Sequence, residues 1–388
     1  MAGNAAAKAE TVRGAKKTAI SFTTPSKVRL EGTLNEQNLV ERIETWVDNP
    51  VLGDMLVEAV FSDYKDFGGV KFPTHILQRE GGYPVLDLTI TDVKPNAAAA
   101  IEVPANIRQA KAPAPAAIEP EKLSDGIWII PGAAKSIAVE FRDHIVVIDA
   151  PETEARSIAV IDAIKKIIPG KPIRYVVNTH THFDHTGSNT EFPATVEFVA
   201  HENTRANMAR QKCEPVTNCD AFKGPNAKYL PKRTFKDKLS LLSGKDQIDL
   251  YYFGRGHTSG DTFVVFPAAR AMHTGDMYPR SQMPFIDVAN SGGSAVEFNQ
   301  TLQNALKTIK NVETVIGGHT PSPVTWNDFK TYTDFYADFF SAARTSMKKG
   351  TAVDEFVKAY RVPERYTGFR ADPQGVKANA EAIYNESR

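Results

Sequence analysis

The chain has 388 residues, which is long enough for two domains and a large hydrophobic core. Lysine and arginine together number 46, as do aspartate and glutamate, so the formal net charge is zero. Nucleic-acid-binding proteins normally carry a basic excess or a basic stripe, and this sequence contains neither, so we expect no nucleic-acid partner. No stretch approaches about eighteen consecutive apolar residues, so we expect no membrane-spanning helix.

The beginning of the chain is rich in alanine and lysine and lacks the apolar segment of a signal peptide. We predict a disordered tail for residues 1–17. A cytoplasmic location remains open, as does a periplasmic or secreted one if a leader has been removed. The only cysteines, Cys213 and Cys219, are close enough in the chain for a small disulfide, which an oxidising compartment would favour. Two free thiols fit the sequence equally well.

Residues 18–104 show the pattern of a β-rich segment. Apolar runs that alternate or are continuous begin at Lys27, Val57 and Pro84, and turn residues separate them. We predict a small antiparallel N-terminal domain without a catalytic cluster of its own. Residues 105–120, which are rich in proline and alanine, are then expected to form an extended and fairly stiff linker.

Strands and helices alternate within residues 121–388. Residues 156–168 have helical apolar spacing that ends at a Pro-Gly pair. A buried strand is predicted at 173–178, followed by a helix that opens near Gly187, and a later helix is predicted over 295–309. This order predicts one large domain in which two sheets are packed between helices, with additional helices at its carboxyl end.

Candidate metal ligands are concentrated directly after the strand predicted at 173–178. The sequence Thr179-His-Thr-His-Phe-Asp-His offers three imidazoles and one carboxylate at His-x-His-x-Asp-His spacing. Neutral imidazoles and carboxylates are ligands that zinc and similar borderline metals prefer. One His-x-His pair would be weak support for a metal site, whereas the complete motif predicts one strongly.

Three later loops that follow predicted strands add further candidates. These loops contain His257 in Gly-His-Thr-Ser-Gly-Asp, Asp276 in His-Thr-Gly-Asp and His319 in Gly-Gly-His-Thr-Pro. Glycines beside these residues let the backbone turn tightly enough for the side chains to face a common centre. If the strand ends cluster, the candidates form two sets of three around a shared carboxylate, as in metal pairs about 3.5–4 Å apart. His201 and His273 fall outside these positions, and we predict packing or helix capping for His201 and a core position for His273.

The order of these motifs resembles that of the metallo-β-lactamase superfamily, and the resemblance extends over residues 121–345. It implies an αββα sandwich, here preceded by the β-rich N-terminal domain, with two metal sites at one edge that share one carboxylate. The resemblance places His180, His182 and His257 at the first metal site, Asp184, His185 and His319 at the second, Asp276 between them and Asp149 in an outer position. An ordinary carboxylate at a strand end explains Asp149 almost as well.

The resemblance implies a dinuclear zinc-dependent hydrolase, with two zinc ions per chain and with iron or manganese as alternative metals. Two dications would make a bridging hydroxide that attacks an ester, lactone or amide carbonyl of a small molecule. Asp184 would bind metal and also orient the nucleophile or carry its proton. The positive end of the helix predicted near Gly187 would favour an anionic intermediate. Phe183 is expected to line the pocket, and Tyr278 is a candidate substrate contact.

Several functions remain open at this stage. The β-lactamases of this superfamily usually carry cysteine or serine at the shared position, so Asp276 favours a lactonase-like or esterase-like enzyme. Hydrolysis of a β-lactam or a phosphotriester at the same site is one alternative. A mononuclear iron oxidoreductase similar to the persulfide dioxygenases is another, and a metal-bearing binding protein without catalytic activity is a third. A homodimer is an expectation from the resemblance alone.

Overall fold

The structure is a computed structural model that describes residues 8–12, 17–23, 29–49, 53–97, 118–151, 154–210 and 221–387. Within these ranges the chain forms two compact units, one ending at Ala97 and one beginning at Ile118. The linker predicted at 105–120 lies almost wholly outside the described residues, as do Cys213 and Cys219.

The first unit is one antiparallel sheet of seven strands, here called the N-terminal sheet, in which each strand pairs with the next along the chain. Its strands are β1 (Lys8–Val12), β2 (Lys17–Thr23), β3 (Arg29–Leu34), β4 (Val40–Asn49), β5 (Gly53–Phe67), β6 (Val70–Glu80) and β7 (Tyr83–Thr89). The tail predicted for residues 1–17 therefore needs correction, because β1 lies within it. Pairing with β2 stabilises this short strand, and such a contact is not visible in the local sequence.

The two faces of the N-terminal sheet differ in polarity. The strand register places Ala59 and Phe61 on one face, whereas the opposite face carries Glu58 between two arginines. Arg42 and Arg79 bind the two carboxylate oxygens of Glu58 at 2.6 and 3.0 Å. The described residues of this sheet include no buried apolar cluster, so its stability rests on strand pairing and partly buried side chains.

The second unit contains two sheets. The upstream sheet has the strand order β14-β13-β12-β11-β10-β9-β8, and its four strands from β11 to β14 are parallel neighbours. Its strands are β8 (Glu121–Ser124), β9 (Ile127–Ile130), β10 (Ser136–Glu140), β11 (Ile145–Ile148), β12 (Ile173–Val177), β13 (Glu197–His201) and β14 (Arg233–Phe235). The carboxyl ends of these parallel strands share one edge.

The downstream sheet follows the chain order. Its strands are β15 (Lys238–Leu241), β16 (Ile248–Tyr251), β17 (Phe263–Phe266), β18 (Ala271–His273), β19 (Thr314–Ile316) and β20 (Val324–Thr325). Two antiparallel pairings in succession make β16 and β18 run in the same direction, and β19 is parallel to β18. The loops after β16, β18 and β19 therefore leave the sheet at one edge.

Helices cover the outer faces of these two sheets. The helices are α1 (Glu154–Ile167), α2 (Phe183–Thr186), α3 (Glu202–Arg210), α4 (Val288–Ser291), α5 (Ala295–Thr308), α6 (Trp326–Lys348), α7 (Val353–Ala359) and α8 (Pro373–Glu386). Thr325 and Asp328 form a capping box at the start of α6, which satisfies backbone N–H groups that a helix leaves free. None of the described helices has the length and apolar character needed to cross a membrane.

Side-chain alternation along the central strands produces the layers. In β11, Val146 and Ile148 face the downstream sheet, whereas Ile145 and Val147 pack under α1. In β17 the same alternation points Val264 and Phe266 between the sheets and Phe263 and Val265 towards α5, α6 and α8. The predicted αββα sandwich preceded by a β-rich domain is therefore confirmed.

The helix predicted to open near Gly187 is wrong. The one-turn helix α2 ends there instead, because the Gly187 amide donates to Phe183 O at 2.6 Å and closes the turn. The next amide, that of Ser188, donates to Pro151 O at 3.1 Å and leaves the helical pattern. A single turn has no extended dipole, so the expected effect of a helix N-terminus on an anionic intermediate is not retained.

Candidate metal centre

The seven residues that the sequence proposed as ligands all follow strands at the shared edge of the two sheets. His180 and His182 follow β12, Asp184 and His185 lie in α2, His257 follows β16, Asp276 follows β18, and His319 follows β19. The structure brings them together as two groups, each of which could hold a metal ion. Within each group, the candidate ligand atoms lie within 4.8 Å of one another.

The first group consists of His180, His182, His257 and Asp276. His257 Nε2 lies 2.9 Å from His182 Nδ1 and 3.5 Å from Asp276 Oδ2. His180 Nε2 lies 3.8 Å from the same carboxylate oxygen. All three imidazoles are buried, so almost none of their surface is exposed to solvent.

The second group consists of Asp184, His185, Asp276 and His319. His319 Nε2 lies 3.0 Å from Asp184 Oδ2 and 3.2 Å from Asp276 Oδ2. His185 Nε2 lies 3.4 Å from Asp276 Oδ1. Asp276 therefore belongs to both groups. The His319 side chain is 32% exposed, so the second group reaches solvent, unlike the imidazoles of the first.

Outer partners fix the imidazoles of the second group. Asp149, at a left-handed φ of 63°, accepts hydrogen bonds from His185 Nδ1 at 2.7 Å and from the Thr179 amide and hydroxyl at 2.7 and 2.8 Å. His273 Nε2 lies 3.4 Å from the same carboxylate. His319 Nδ1 donates to Ala133 O at 2.6 Å. Both ligand imidazoles are thereby oriented with Nε2 towards the carboxylates, as in metal sites with oriented ligands.

Two of the three imidazoles of the first group have outer partners in one loop. His182 Nε2 donates to Asp287 Oδ2 at 3.1 Å, and His257 Nδ1 donates to Phe285 O at 2.7 Å. These partners assign the tautomers, leaving lone pairs on His182 Nδ1 and His257 Nε2. The two lone pairs face each other across 2.9 Å, an arrangement that a cation between them would stabilise.

The donor atoms present fit a pair of metal ions. Within the two groups, four buried atoms have no hydrogen-bond partner among the described residues, and they are His180 Nε2, His185 Nε2, Asp184 Oδ1 and Asp276 Oδ1. Buried polar atoms without partners are costly, and metal ions together with a bound water molecule would satisfy all four. Imidazole nitrogen and carboxylate oxygen are the ligand types of zinc. Gly318 leaves this space open, because an added Cβ would overlap Asp276 Oδ1.

Comparison with known proteins identifies the fold family. The sequence profile described as the metallo-beta-lactamase superfamily matches residues 129–319, from β9 to the last candidate ligand. This part of the chain belongs to the metallo-β-lactamase superfamily. Members of this superfamily are mostly metal-dependent hydrolases, which agrees with the two groups of candidate ligands.

Three similar proteins show how far the likeness extends. Metallo-beta-lactamase type 2 of Elizabethkingia meningoseptica is 26% identical over 210 residues, which cover 51% of this chain and 77% of that protein. The alpha subunit of 2,4-dinitroanisole O-demethylase of Nocardioides sp. (strain JS1661) is 25% identical over 162 residues, covering 40% of this chain and 45% of that subunit. The sec-alkylsulfatase Pisa1 from Pseudomonas sp. superposes with a TM-score of 0.55 at 16% identity, covering 69% of this chain and 50% of that one. This last likeness shows the fold alone.

The two groups differ in the pKa values of their histidines. Burial lowers the pKa of His257 to about 4 and that of His180 well below its usual value. Burial would also lower the pKa of His319, but hydrogen bonds to Asp184 and Asp276 outweigh it and raise that pKa to about 10. His185 follows the same pattern, with nearby carboxylates raising its pKa well above the usual value. The first group thus contains two neutral imidazoles, whereas the second contains two protonated ones.

The two aromatic residues that the sequence analysis predicted to line the pocket or contact substrate are buried in the structure. Tyr278 is 2% exposed, and its ring packs edge-on against Tyr332 with centroids 5.1 Å apart. Phe183 is 4% exposed and packs beside Phe222 in a small apolar cluster. Rings enclosed in this way offer almost no surface to a substrate, so both expectations are corrected.

His273 is a core residue and His201 caps a helix, as the sequence predicted among its alternatives. His273 is fully buried and donates from Nδ1 to Ile316 O at 3.0 Å. His201 Nε2 lies 2.8 Å from Lys236 O, and its Nδ1 accepts from the Asn203 amide at the start of α3. Sequence reasoning missed Asp287, which no motif marks and which lies 105 positions from its partner His182.

Proposed function

We propose that this protein is a dinuclear zinc-dependent hydrolase that cleaves an ester, lactone or amide bond of a small molecule. Asp276 carries the proposal, because its carboxylate lies among imidazoles of both groups, and its Oδ2 is also 3.2 Å from His319 Nε2. Oδ1 lies 3.4 Å from His185 Nε2, and Oδ2 lies 3.5 Å from His257 Nε2. One carboxylate placed between two sets of three ligands is the arrangement that a metal pair requires. Ester and lactone are favoured over β-lactam because the shared residue is aspartate.

The roles of the individual residues follow from the two groups. One zinc ion would be held by His180, His182 and His257, the other by Asp184, His185 and His319, with Asp276 shared. When bound, such a pair supplies a nucleophile from water at neutral pH and polarises the substrate carbonyl. The protein's own contribution is to hold each imidazole in one orientation through Asp149, Asp287 and the Phe285 and Ala133 carbonyls.

Asp184 is the residue proposed to move a proton. Its Oδ2 lies 3.0 Å from His319 Nε2, which fixes the carboxylate. Its Oδ1 is buried and has no hydrogen-bond partner within the described part of the chain. This oxygen is therefore placed to orient a water molecule and accept its proton as a general base.

β-Lactam hydrolysis is the second candidate function. It is favoured by the similarity to metallo-beta-lactamase type 2 of Elizabethkingia meningoseptica, of which the match covers 77%. The aspartate at the shared position argues against it. A substrate comparison can separate the two, because both functions need the same metal-binding residues.

The test is hydrolysis by the zinc-loaded full chain of a lactone, an aryl ester and a chromogenic cephalosporin, with metal content measured on the same sample. We expect lactone or ester turnover with two zinc ions per chain. Cephalosporin turnover alone would replace the proposal by the second candidate. Iron in a single site without hydrolysis would support an oxidoreductase, and no turnover with either metal would support a binding protein.

A pair of variants ties any turnover to this site. Asp184→Asn removes the proposed base and should abolish most of the activity. Asp125→Asn is the matched control, because the Asp125 side chain is fully exposed and pairs only with Lys122. Equal activity of the two variants would reject the role of Asp184.

A further inference from the structure

An exposed aromatic ring stands beside the first group. Phe285 is 56% exposed, and its ring centroid lies 6.0 Å from that of His182 and 5.7 Å from that of His257. Single exposed apolar side chains are ordinary on a protein surface. This ring differs from them because it lies directly against two candidate ligand imidazoles.

The backbone around Phe285 is anchored on both sides. The Phe285 carbonyl accepts from His257 Nδ1 at 2.7 Å, and the preceding Pro284 carbonyl accepts from the buried Asn379 side chain at 2.8 Å. Two residues further, the Asp287 amide donates to His257 O at 2.9 Å. The ring is therefore carried by a fixed segment and is not the tip of a loose loop.

The backbone contacts of Phe285 do not require an aromatic side chain. Any residue would offer the same carbonyl oxygen to His257, and the ring itself is mostly outside the core. Val288, three positions along the chain, is also 43% exposed, so the same segment presents a second apolar side chain. A large ring exposed to water next to a reaction centre gains free energy when an apolar ligand group covers it.

We propose that the Phe285 ring is the apolar wall of the substrate site and that the natural substrate carries an aliphatic or aromatic group that packs against it. This inference rests on the proposed hydrolase function and narrows its substrate class to apolar esters or lactones. Phe285 is thereby a residue that determines specificity, distinct from the residues that hold metal.

The experiment compares wild type with Phe285→Ala in the zinc-loaded full chain. Hydrolysis of para-nitrophenyl octanoate is measured against para-nitrophenyl acetate, and binding of octanoate against acetate is measured by calorimetry. Removing the ring should lower the octanoate-to-acetate ratio of kcat/KM at least about tenfold, the scale of small changes in an apolar pocket. It should lower the preference for binding octanoate similarly, with zinc content unchanged. Tyr83→Ala, which removes a 75% exposed ring from the N-terminal sheet, is the matched control and should keep both ratios.

Each outcome decides the inference. A fall in both ratios at unchanged zinc content supports the apolar wall. Unchanged ratios, or a fall accompanied by zinc loss, overturn it. If wild type hydrolyses neither ester, hydrolysis of simple esters is excluded from the proposed function, and the calorimetry still tests the apolar wall. A preference for octanoate that is lost in Phe285→Ala supports the wall, and no preference in wild type overturns it.

Discussion

The two groups of candidate ligands share Asp276 but differ in burial and in the charge of their histidines. The first is enclosed, and burial keeps His180 and His257 neutral. The second opens to solvent at His319, and its carboxylates keep His185 and His319 protonated when no metal is present. Two imidazoles of the first group can therefore bind a metal ion without losing a proton. The two imidazoles of the second group must each lose a proton before a metal ion can bind there. This difference predicts that the two metals bind with different dependence on pH and on nearby substitutions.

The largest effect is expected from removing the charge that the two groups share. Asp276→Asn should lower metal content towards one ion per chain, because an amide is a weaker ligand than a carboxylate. Turnover should fall by more than the 10–100-fold that is typical of changes outside the ligand set. Metal analysis and kinetics on one preparation check this, with Asp125→Asn as control. Two tightly bound ions in Asp276→Asn would show that the carboxylate is not shared.

A change at Gly318 should affect the second group selectively. A Cβ at this position would overlap Asp276 Oδ1 and lie 3.0 Å from His185 Cε1, so both side chains would have to move. We expect Gly318→Ala to lose the second metal in a chelator titration while retaining the first. Turnover should fall roughly 100-fold, the upper end of outer-residue effects. Gly32→Ala is the control, because its Cβ would meet nothing closer than 3.8 Å. Loss of the first metal alone would contradict this assignment.

Two carboxylates outside the ligand set offer a paired test. Asp149→Asn removes the negative charge of the carboxylate that accepts a hydrogen bond from His185. Asp287→Asn does the same for the carboxylate that accepts from His182. Asparagine tolerates the left-handed φ at 149 and can cap α4 at 287, so both variants should fold. Each should weaken one metal about 10–100-fold, the second in Asp149→Asn and the first in Asp287→Asn. Competition with a chromogenic chelator measures both affinities. An identical pattern in the two variants would mean that the groups do not act separately.

The smallest effect is a difference in proton release. The pKa of His319 is raised to about 10, so below that pH a metal entering the second group must displace its proton. Its affinity should therefore rise with pH about tenfold per unit for each proton displaced. The pKa of His257 is lowered to about 4, so this imidazole has no proton to release near neutrality. Calorimetry in buffers of different ionisation enthalpy counts the protons. Equal proton counts for the two binding events would contradict this difference.

The sequence predicted the sandwich and named the seven residues that the structure brings together, because both depend on local patterns. Apolar strands that end in glycine-bearing loops are visible along the chain, and parallel strands place such loops at one edge. The central strand β11 illustrates this, since four apolar residues in a row are typical of a strand covered on both faces.

What the sequence missed depends on contacts between distant segments. Asp287 and Phe285 act on His182 and His257 through folding of a loop with no recognisable motif. Tyr278 lies close to Asp276 in sequence, but its ring turns into the core beneath α6. The sequence predicted a helix that opens near Gly187, whereas α2 ends there, because the Ser188 amide donates to a carbonyl outside the helix.

The position of the shared carboxylate along the chain has a consequence during synthesis. The residues of the first group are complete when Asp276 has been added, whereas the second group must wait for His319. All candidate ligands of the first group are therefore synthesised before the last candidate ligand of the second. A nascent chain that pauses between these two residues contains every candidate ligand for one ion and lacks one for the other.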